Sequence, residues 1–391
     1  MRNPFQVSSV WIDANITTFI VAVILFILGQ SSVKGFATML IINIILTIAI
    51  LVYLEKYVIL LFAKSGVFDN KINLFIGLPK KKIIPAKEVR IPFKKLDFVN
   101  SRKIMLPIIL IVIVGGLTYS LIKGFNFAVD FTGGTSITVN TTDKVSLEGY
   151  TIDKINSTKD STTITIKEKL NKDEVKELSE KLEEEYNTSA DIYVVSDLVK
   201  KQLIKNAIIA VLVAFLGITA YVSIRFRFNY AISGIVALLH DVLITTIFFG
   251  VFKLEIDSIF IAALLTIIGY SINDTIVTFD MIRRNYKNRK NIDKEKLKDI
   301  VNDSVRLTFF RSIMTTVTTI IPIICLIIFG ASEILNFNLA LLVGFIAGVF
   351  SSIYVSNQLW LILESRRITK PKKEKKKLDE VEELKVKGVN C

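Results

Sequence analysis

The chain has 391 residues, 51% of them hydrophobic, with a mean hydropathy of +0.52 and a formal net charge of +13. That is too apolar for a soluble enzyme. With only two cysteines, Cys325 inside an apolar run and Cys391 at the last position, a secreted disulfide scaffold is excluded as well.

A hydrocarbon core of about 30 Å needs roughly 20 helical residues to cross. Eight stretches meet that length: Ala14–Val33, Gly35–Leu54, Ile104–Ile122, Asn206–Ile224, Phe228–Phe252, Ser258–Phe279, Ser312–Ser332 and Ile334–Leu363. They are too long and too rich in Gly and Ala to be barrel strands, which alternate over about 10 residues. The predicted fold is therefore a polytopic α-helical membrane protein of eight transmembrane helices, with one small α+β extracytoplasmic domain. In chain order the expected parts are a two-span hairpin (1–63), a basic cytoplasmic linker (64–103), a third span (104–122), the α+β domain (123–205), a five-span bundle (206–363) and a charged tail (364–391). The first span carries no cleavage site and reads as retained.

Charge sets the orientation. Residues 124–198 hold 15 acids against 8 Lys, whereas residues 64–103 hold 11 Lys/Arg against 3 acids, 281–311 hold 10 against 4, and 364–391 hold 10 against 6. Alternating eight spans from a cytoplasmic N-terminus puts all three basic stretches on one side and the acidic insert on the other, as the positive-inside rule requires. Both termini are then cytoplasmic, and the basic runs face anionic lipid and need no specific nucleic acid; for the Lys370–Lys377 run alone, contact with ribosomal RNA is the minor alternative.

Within the insert, β-branched runs at Thr135–Val139, Thr162–Ile166 and Ile192–Val195 predict strands. Val175, Leu178 and Leu182 give an apolar stripe to a helix over Lys172–Tyr186. The expected style is split βαβ, without an obvious first helix. An ungapped shift of 301 positions lays residues 17–53 on 318–354 with ten identities, among them Thr17/Thr318, Thr18/Thr319, Leu25/Leu326, Gly29/Gly330, Phe36/Phe337 and Tyr53/Tyr354. The first and last hairpins thus read as copies, as in transporters built from two related halves.

Ionisable side chains inside spans mark function by default. The fifth span holds His240 and Asp241, the sixth holds Asn273 and Asp274, and Arg311 opens the seventh. At helical spacing Ala237, Asp241 and Thr245 share a face, as do Tyr270, Asp274 and Thr278, and Arg311, Thr315 and Thr319. A buried carboxylate can load and release a proton, and alternate pairing with an Arg makes a switch. Two plainer readings stand beside it: a static Asp274–Arg311 pair, or an Arg311 that snorkels to the interface. His240 reads as a partner of Asp241 and not as a metal ligand. No HExxH, CxxC, Walker loop or nucleophile elbow is present, so neither ATP use nor hydrolysis has support and no cofactor is expected.

Three ordered runs carry a resemblance: Val129–Thr135 (VDFTGGT), Val236–Thr245 (VALLHDVLIT) and Ala262–Asp280 (AALLTIIGYSINDTIVTFD). With the Arg311 segment and Ser351-Ser352-Ile353-Tyr354, residues 94–367 resemble the bacterial protein-export family SecF. Residues 13–18 and 33–37 resemble the last two spans of SecD, so the chain looks like the join of a SecDF fusion in the resistance-nodulation-division superfamily. The resemblance implies a non-enzymatic motor in the cytoplasmic membrane that uses the proton-motive force to draw unfolded preprotein outward. Its implied partners are a SecD-like subunit, the SecYEG channel and SecA. It matches Asp274 to the proton-carrying carboxylate and Arg311 to its partner, with Asp241, His240 and Asn273 beside them. Asp130, Phe131, Gly133, Gly134, Thr135 and Gly269 fall in its motifs. Residues Asp197–Leu203 depart from the pattern, which has a Pro/Gly turn there. The alternative role is a non-energised subunit that stabilises the translocon or aids insertion; a small-molecule exporter is disfavoured by the short insert.

The orientation is testable in a background with both native cysteines replaced. Ser157→Cys and Ser332→Cys should react with a membrane-impermeant maleimide in intact cells and Asn288→Cys should not; labelling of Asn288→Cys overturns the topology.

Overall fold

Apolar runs form the long helices, and the breaks fall where Gly or charge interrupts them. The computed structural model describes residues 4–29, 31–66, 93, 96–141, 145, 147, 149–157, 161–287, 289 and 292–369. Most of the expected linker, and the tail beyond Thr369 with its Lys370–Lys377 run, lie outside the described residues.

Helices α1 (Pro4–Leu28) and α2 (Ser31–Ala49) form the first hairpin, followed by a π turn (Ile50–Glu55) and α3 (Lys56–Lys64). Next come α4 (Arg102–Lys123), strand β1 (Asn126–Phe127) and one helical turn (Val129–Thr132). The soluble unit contains β2 (Gly134–Val139), β3 (Ile152–Ser157), β4 (Thr162–Ile166), α5 (Lys172–Tyr186) and β5 (Ala190–Val195). The bundle then runs through α6 (Asp197–Arg225), α7 (Phe228–Phe252), β6 (Glu255–Ile256), α8 (Ser258–Lys287) and α9 (Lys294–Phe329). A 3₁₀ turn, α10 (Leu335–Ser351), a second π turn (Ser352–Ser356) and α11 (Asn357–Thr369) complete it. Among the described residues six helices are long and apolar enough to span a membrane, counting Ser332–Ile368 as one, and two shorter apolar helices lie in the first hairpin.

Two helices start earlier than hydropathy predicts. Ser196 caps α6, accepting from Val199 N, so Asp197–Leu203 is helix continuous with the span, where the family pattern has a turn. Asp293 caps α9, and the polar prefix before the apolar run buries Leu297, Ile300, Val301 and Val305 along one stripe. Arg311 therefore does not open its helix, as expected from the sequence; it lies well inside it.

The sheet is antiparallel in the order β3–β4–β2–β5, with Ile137 of β2 opposite both Ile164 and Ile192. This is the split-βαβ order, and no helix joins β2 to β3 among the described residues. Asn171 and Glu174 form a capping box at the start of α5, which lays Leu178 and Leu182 on Ile137, Ile164 and Ile166. The short parallel pair β1–β6 (Asn126↔Glu255, Phe127↔Ile256) ties this unit to the α7–α8 connection.

Both hairpin copies end their first helix alike. Gly29 N donates to Leu25 O at 2.8 Å and Gly330 N to Leu326 O at 2.9 Å, and both pairs are matched by the 301-residue shift. The same shift lays the π turn at Ile50–Glu55 on residues 351–356, where the second π turn stands. The matched rings of Phe36 and Phe337 meet edge to face, centroids 5.1 Å apart. Shared caps, shared π turns and a contact between equivalent residues mark a structural repeat.

Helix α8 is the most enclosed of the spans, with α1, α7, α9 and α10 around it. Its close approach to α10 needs Gly344, where a Cβ would overlap the fully buried Ile267 side chain. Gly344→Val should destabilise the bundle by about 1–3 kcal/mol through overpacking, read as a lower melting midpoint in detergent. Gly115→Ala, facing open space on α4, should not lower it; an unchanged Gly344→Val midpoint contradicts the tight crossing.

Candidate functional site

The polar side chains predicted for the spans converge on α8 and its neighbours. Asp274 is enclosed by hydroxyls from two other elements: Ser312 of α9 donates to Oδ1 at 2.6 Å, and Ser352 of the π turn donates to Oδ2 at 2.8 Å. Asp241 of α7 is fully buried and built the same way. Ser271 of α8 donates to its Oδ2 at 2.5 Å and Ser351 of α10 to the same oxygen at 2.9 Å, while His240 Nδ1 lies 2.9 Å from Oδ1. The His240 ring in turn stacks on Phe350.

The two carboxylates are joined through two short links, one dipeptide and one helical turn. Ser351 and Ser352 are adjacent in the chain and serve one Asp each, and Ser271 stands one turn before Asp274 on α8. The π turn begins at Ser352, and such a turn re-aims side chains relative to a regular helix. On the opposite face of α8, Thr17 of α1 donates to Asn273 Oδ1 at 2.8 Å, and Thr18 donates to the Gly269 carbonyl at 3.2 Å.

Arg311 precedes Ser312 on α9 and lies within electrostatic reach of Asp274. Thr315 donates back to the Arg311 carbonyl at 2.9 Å, and Thr319 meets the Tyr270 hydroxyl at 2.5 Å. The predicted shared faces thus come together in pairs: Tyr270 with Thr319, and Asp274 with the Arg311–Ser312 corner. Thr245 and Thr278 donate to the carbonyls of Asp241 and Asp274. Sequence alone does not single out the four shell serines, Ser271, Ser312, Ser351 and Ser352, as site residues, although Ser271 falls within the run Ala262–Asp280 and Ser351-Ser352 within Ser351-Ser352-Ile353-Tyr354. No group of three or more His, Cys, Asp or Glu suited to a metal occurs among the described residues.

The copy relation shows how unequal the two hairpins are. The 301-residue shift places Ile50 and Leu51 on Ser351 and Ser352, and Trp11 on Ser312. The backbone turn is duplicated; of the hydroxyls that serve the carboxylates, those of Ser312, Ser351 and Ser352 fall in one copy and that of Ser271 on α8.

The motif Val129–Thr135 lies away from these carboxylates, at the junction of sheet and bundle. Asp130 Oδ2 accepts from Ser258 N at 2.9 Å, at the first residue of α8. Phe131 lines a mostly apolar crevice with Leu25, Leu28, Val33, Ala207 and Leu265. Gly133 and Gly134 have φ of +78° and +120°, and a Cβ at Gly134 would meet the Ile166 carbonyl at 2.5 Å, so both positions need glycine for β2 to leave the helical turn. Thr135 locks the strand by donating to Glu168 O at 2.7 Å. Across β1–β6, Lys154 Nζ reaches Asn126 Oδ1 and Phe127 O, both at 2.7 Å. Burial, reinforced by the charges of Asp130 and Glu255 and opposed by the Phe260 N–H, pushes the Asp257 carboxyl up to about 6.

The family models that match describe the protein export membrane protein SecD/SecF C-terminal region over residues 174–366 and the SecD/SecF GG motif over residues 119–145. The protein translocase subunit SecDF of Bacillus subtilis is 41% identical over 376 residues, covering 92% of this chain and 51% of that protein. The SecF subunit of Sebaldella termitidis is 37% identical over 272 residues, 65% of this chain and 86% of that one. The crystal structure of SecDF from Thermus thermophilus, described as a translocon-associated membrane protein, matches with a TM-score of 0.77 at 28% identity, over 92% of this chain and 49% of that one. The chain spans about half the length of the SecDF relatives it matches.

Asp257 gives the junction a pH dependence. Its folded-state pKa is raised, so the fold holds a proton that the unfolded chain has released; this favours folding below about pH 4 and is lost as the pH rises through about 6. Asp257→Asn keeps a side chain able to cap α8 and should raise the melting midpoint at pH 8, a gain on the order of 2 kcal/mol, and leave it unchanged near pH 4. A midpoint at pH 8 no higher than that of the unsubstituted protein contradicts this.

Proposed function

Because the chain belongs to the SecD/SecF family of protein translocase subunits, we propose that it uses the proton-motive force to promote preprotein movement across the cytoplasmic membrane, with Asp274 as the proton carrier. The observation that carries this reading is the shell of Asp274. One side chain on the central helix α8 is held by hydroxyls from α9 and from the π turn, so a change in its protonation alters contacts to two elements at once. Arg311 biases that carboxylate toward the charged form when it pairs with it, and Asp241 with His240 forms a second polar centre coupled through Ser351-Ser352.

In this reading the sheet domain is extracytoplasmic, the basic ends and both termini are cytoplasmic, and the boundaries are those expected: 1–63, 64–103, 104–122, 123–205, 206–363 and 364–391. The partners are a SecD-like subunit, the SecYEG channel, SecA, unfolded preprotein and anionic lipid. The role is mechanical and not enzymatic. A charge crossing the membrane field gains about 2.3 kcal/mol per 100 mV, whereas moving a two-state population from 1:99 to 99:1 takes about 5.5 kcal/mol. One proton driven by potential alone biases such a bundle without throwing it fully; a pH gradient, a second proton or substrate must add the rest.

The second reading is a non-energised subunit in which Asp274 only ties helices together. It is favoured by the satisfaction of both carboxylate oxygens in one closed arrangement. Export into inverted vesicles with the complete complex separates the two. Asp274→Asn should abolish the ionophore-sensitive part of export and leave ATP-driven initiation intact. Arg311→Lys should retain part of it if charge alone matters and lose it if a bidentate guanidinium is needed. Full ionophore-sensitive stimulation in Asp274→Asn selects the static role.

A further inference from the structure

The last residues of the expected linker dock on the bundle. Residues 96–101 form a turned elbow ahead of α4, in which Phe98 and Val99 are buried although Leu96, Asp97 and Asn100 beside them are exposed. The bundle holds this elbow mainly by its backbone. Asn302 of α9, itself buried, accepts from Val99 N at 3.0 Å and donates to Asp97 Oδ1 at 3.0 Å. Arg306, one turn further on, donates to Leu96 O through Nε at 2.9 Å and Nη2 at 2.6 Å. The fully buried Gln358 of α11 donates to Phe98 O at 2.9 Å.

What the elbow inserts is one ring. Phe98 is 3% exposed, and its centroid lies 5.2 Å from that of Phe309 and 6.2 Å from that of Tyr354, within the range in which aromatic pairs attract. Phe309 stands three residues before Ser312 on the same side of α9, and Tyr354 stands two residues after Ser352 in the π turn. These are the two elements whose hydroxyls hold Asp274. Helix α9 packs on α8, α10 and α11 but makes little backbone contact with the π turn, so the ring joins the carriers of the two donors from outside the shell. The contacts continue inward: Tyr354 meets Phe350 at 5.0 Å, and Phe350 stacks on His240, the partner of Asp241.

Anchoring the start of α4 does not call for this seat. Any apolar groove would bury Phe98 and Val99, whereas here two buried amides and a guanidinium set one ring across one particular seam. We propose that Phe98 is a positioning residue for the proton step: the elbow clasps α9 to the π turn and thereby sets the spacing of the Ser312 and Ser352 hydroxyls that Asp274 must engage together. This rests on the reading of Asp274 as a proton carrier. Phe98 exchanges no proton and acts through the two serines.

The test uses the complete complex in vesicles. Phe98→Ala should lower ionophore-sensitive export about tenfold, the scale of one hydrogen bond lost on a barrier, with ATP-driven initiation intact. Phe98→Leu refills most of the space and should recover most of the loss. Asn302→Leu removes that side chain's two bonds to the elbow, keeps the ring, and should act like Phe98→Ala; if Phe98→Ala does not assemble, it carries the same readouts. Leu297→Ala, a fully buried truncation nearer the start of α9, should leave export unchanged. Infrared spectra separate positioning from general loosening. The carboxyl band missing in Asp274→Asn should shift in Phe98→Ala in the same direction as in Ser352→Ala and stay in place in Leu297→Ala. A band unmoved in Phe98→Ala, or moved as far in Leu297→Ala, overturns the clasp and leaves the carrier in place. Full ionophore-sensitive stimulation in Asp274→Asn removes the carrier reading and the clasp with it.

Discussion

Asp274 and Asp241 stand within otherwise apolar helices, where an ionisable group without partners costs several kcal/mol. Their hydroxyl partners come from α8, α9, α10 and the π turn, so the positions of these elements follow from where the two carboxylates must be served. The close crossing at Gly344 brings α10 onto α8, and the π turn sets Ser352 toward Asp274 while Ser351, its neighbour, serves Asp241. A closed shell of this kind changes as a unit: a donor that leaves one carboxylate exposes a buried acceptor, and the adjacent serine carries the disturbance to the other. In the proposed function, a change of protonation at Asp274 is therefore felt by several helices at once.

The repeat adds an asymmetry. Both hairpins end their first helix on Gly and both carry a π turn at the equivalent place, yet in sequence the 301-residue shift matches Ile50, Leu51 and Trp11 to Ser351, Ser352 and Ser312. Geometry was kept in both copies and polarity in one. In the bundle, α1 instead offers Thr17 and Thr18 to the back of α8, at Asn273 and Gly269. The central helix is thus gripped on one face by fixed hydrogen bonds to a threonine pair and on the other by the hydroxyl shell of a titratable group. The sheet domain is attached at the first residue of the same helix, where Asp130 accepts from Ser258 N.

Much of this was readable from residues in order. The apolar runs marked the bundle, β-branched clusters marked β2, β4 and β5, and the Val-Leu-Leu stripe marked α5. Costly polar residues in spans pointed to His240, Asp241, Asn273 and Asp274. What escaped has definite causes. The strand Ile152–Ser157 alternates with Asp, Lys and Asn on a mostly exposed edge, so its apolar signal is weak. The polar beginnings of α6 and α9 fall below any hydropathy threshold, and this misplaced Arg311 at a helix start. The serines were the largest omission: a lone Ser in an apolar helix costs little and is common at helix contacts, so only the fold reveals that four of them aim at two carboxylates.

In the proposed function Asp274 changes its protonation as preprotein moves. Infrared difference spectra of the complete complex in vesicles, recorded as a pH gradient is imposed and collapsed, read that event directly. A carboxyl C=O band that appears with the gradient, shifts in Ser312→Ala and is missing in Asp274→Asn is the predicted result. A gradient that drives export with no carboxyl band assignable to Asp274 contradicts it.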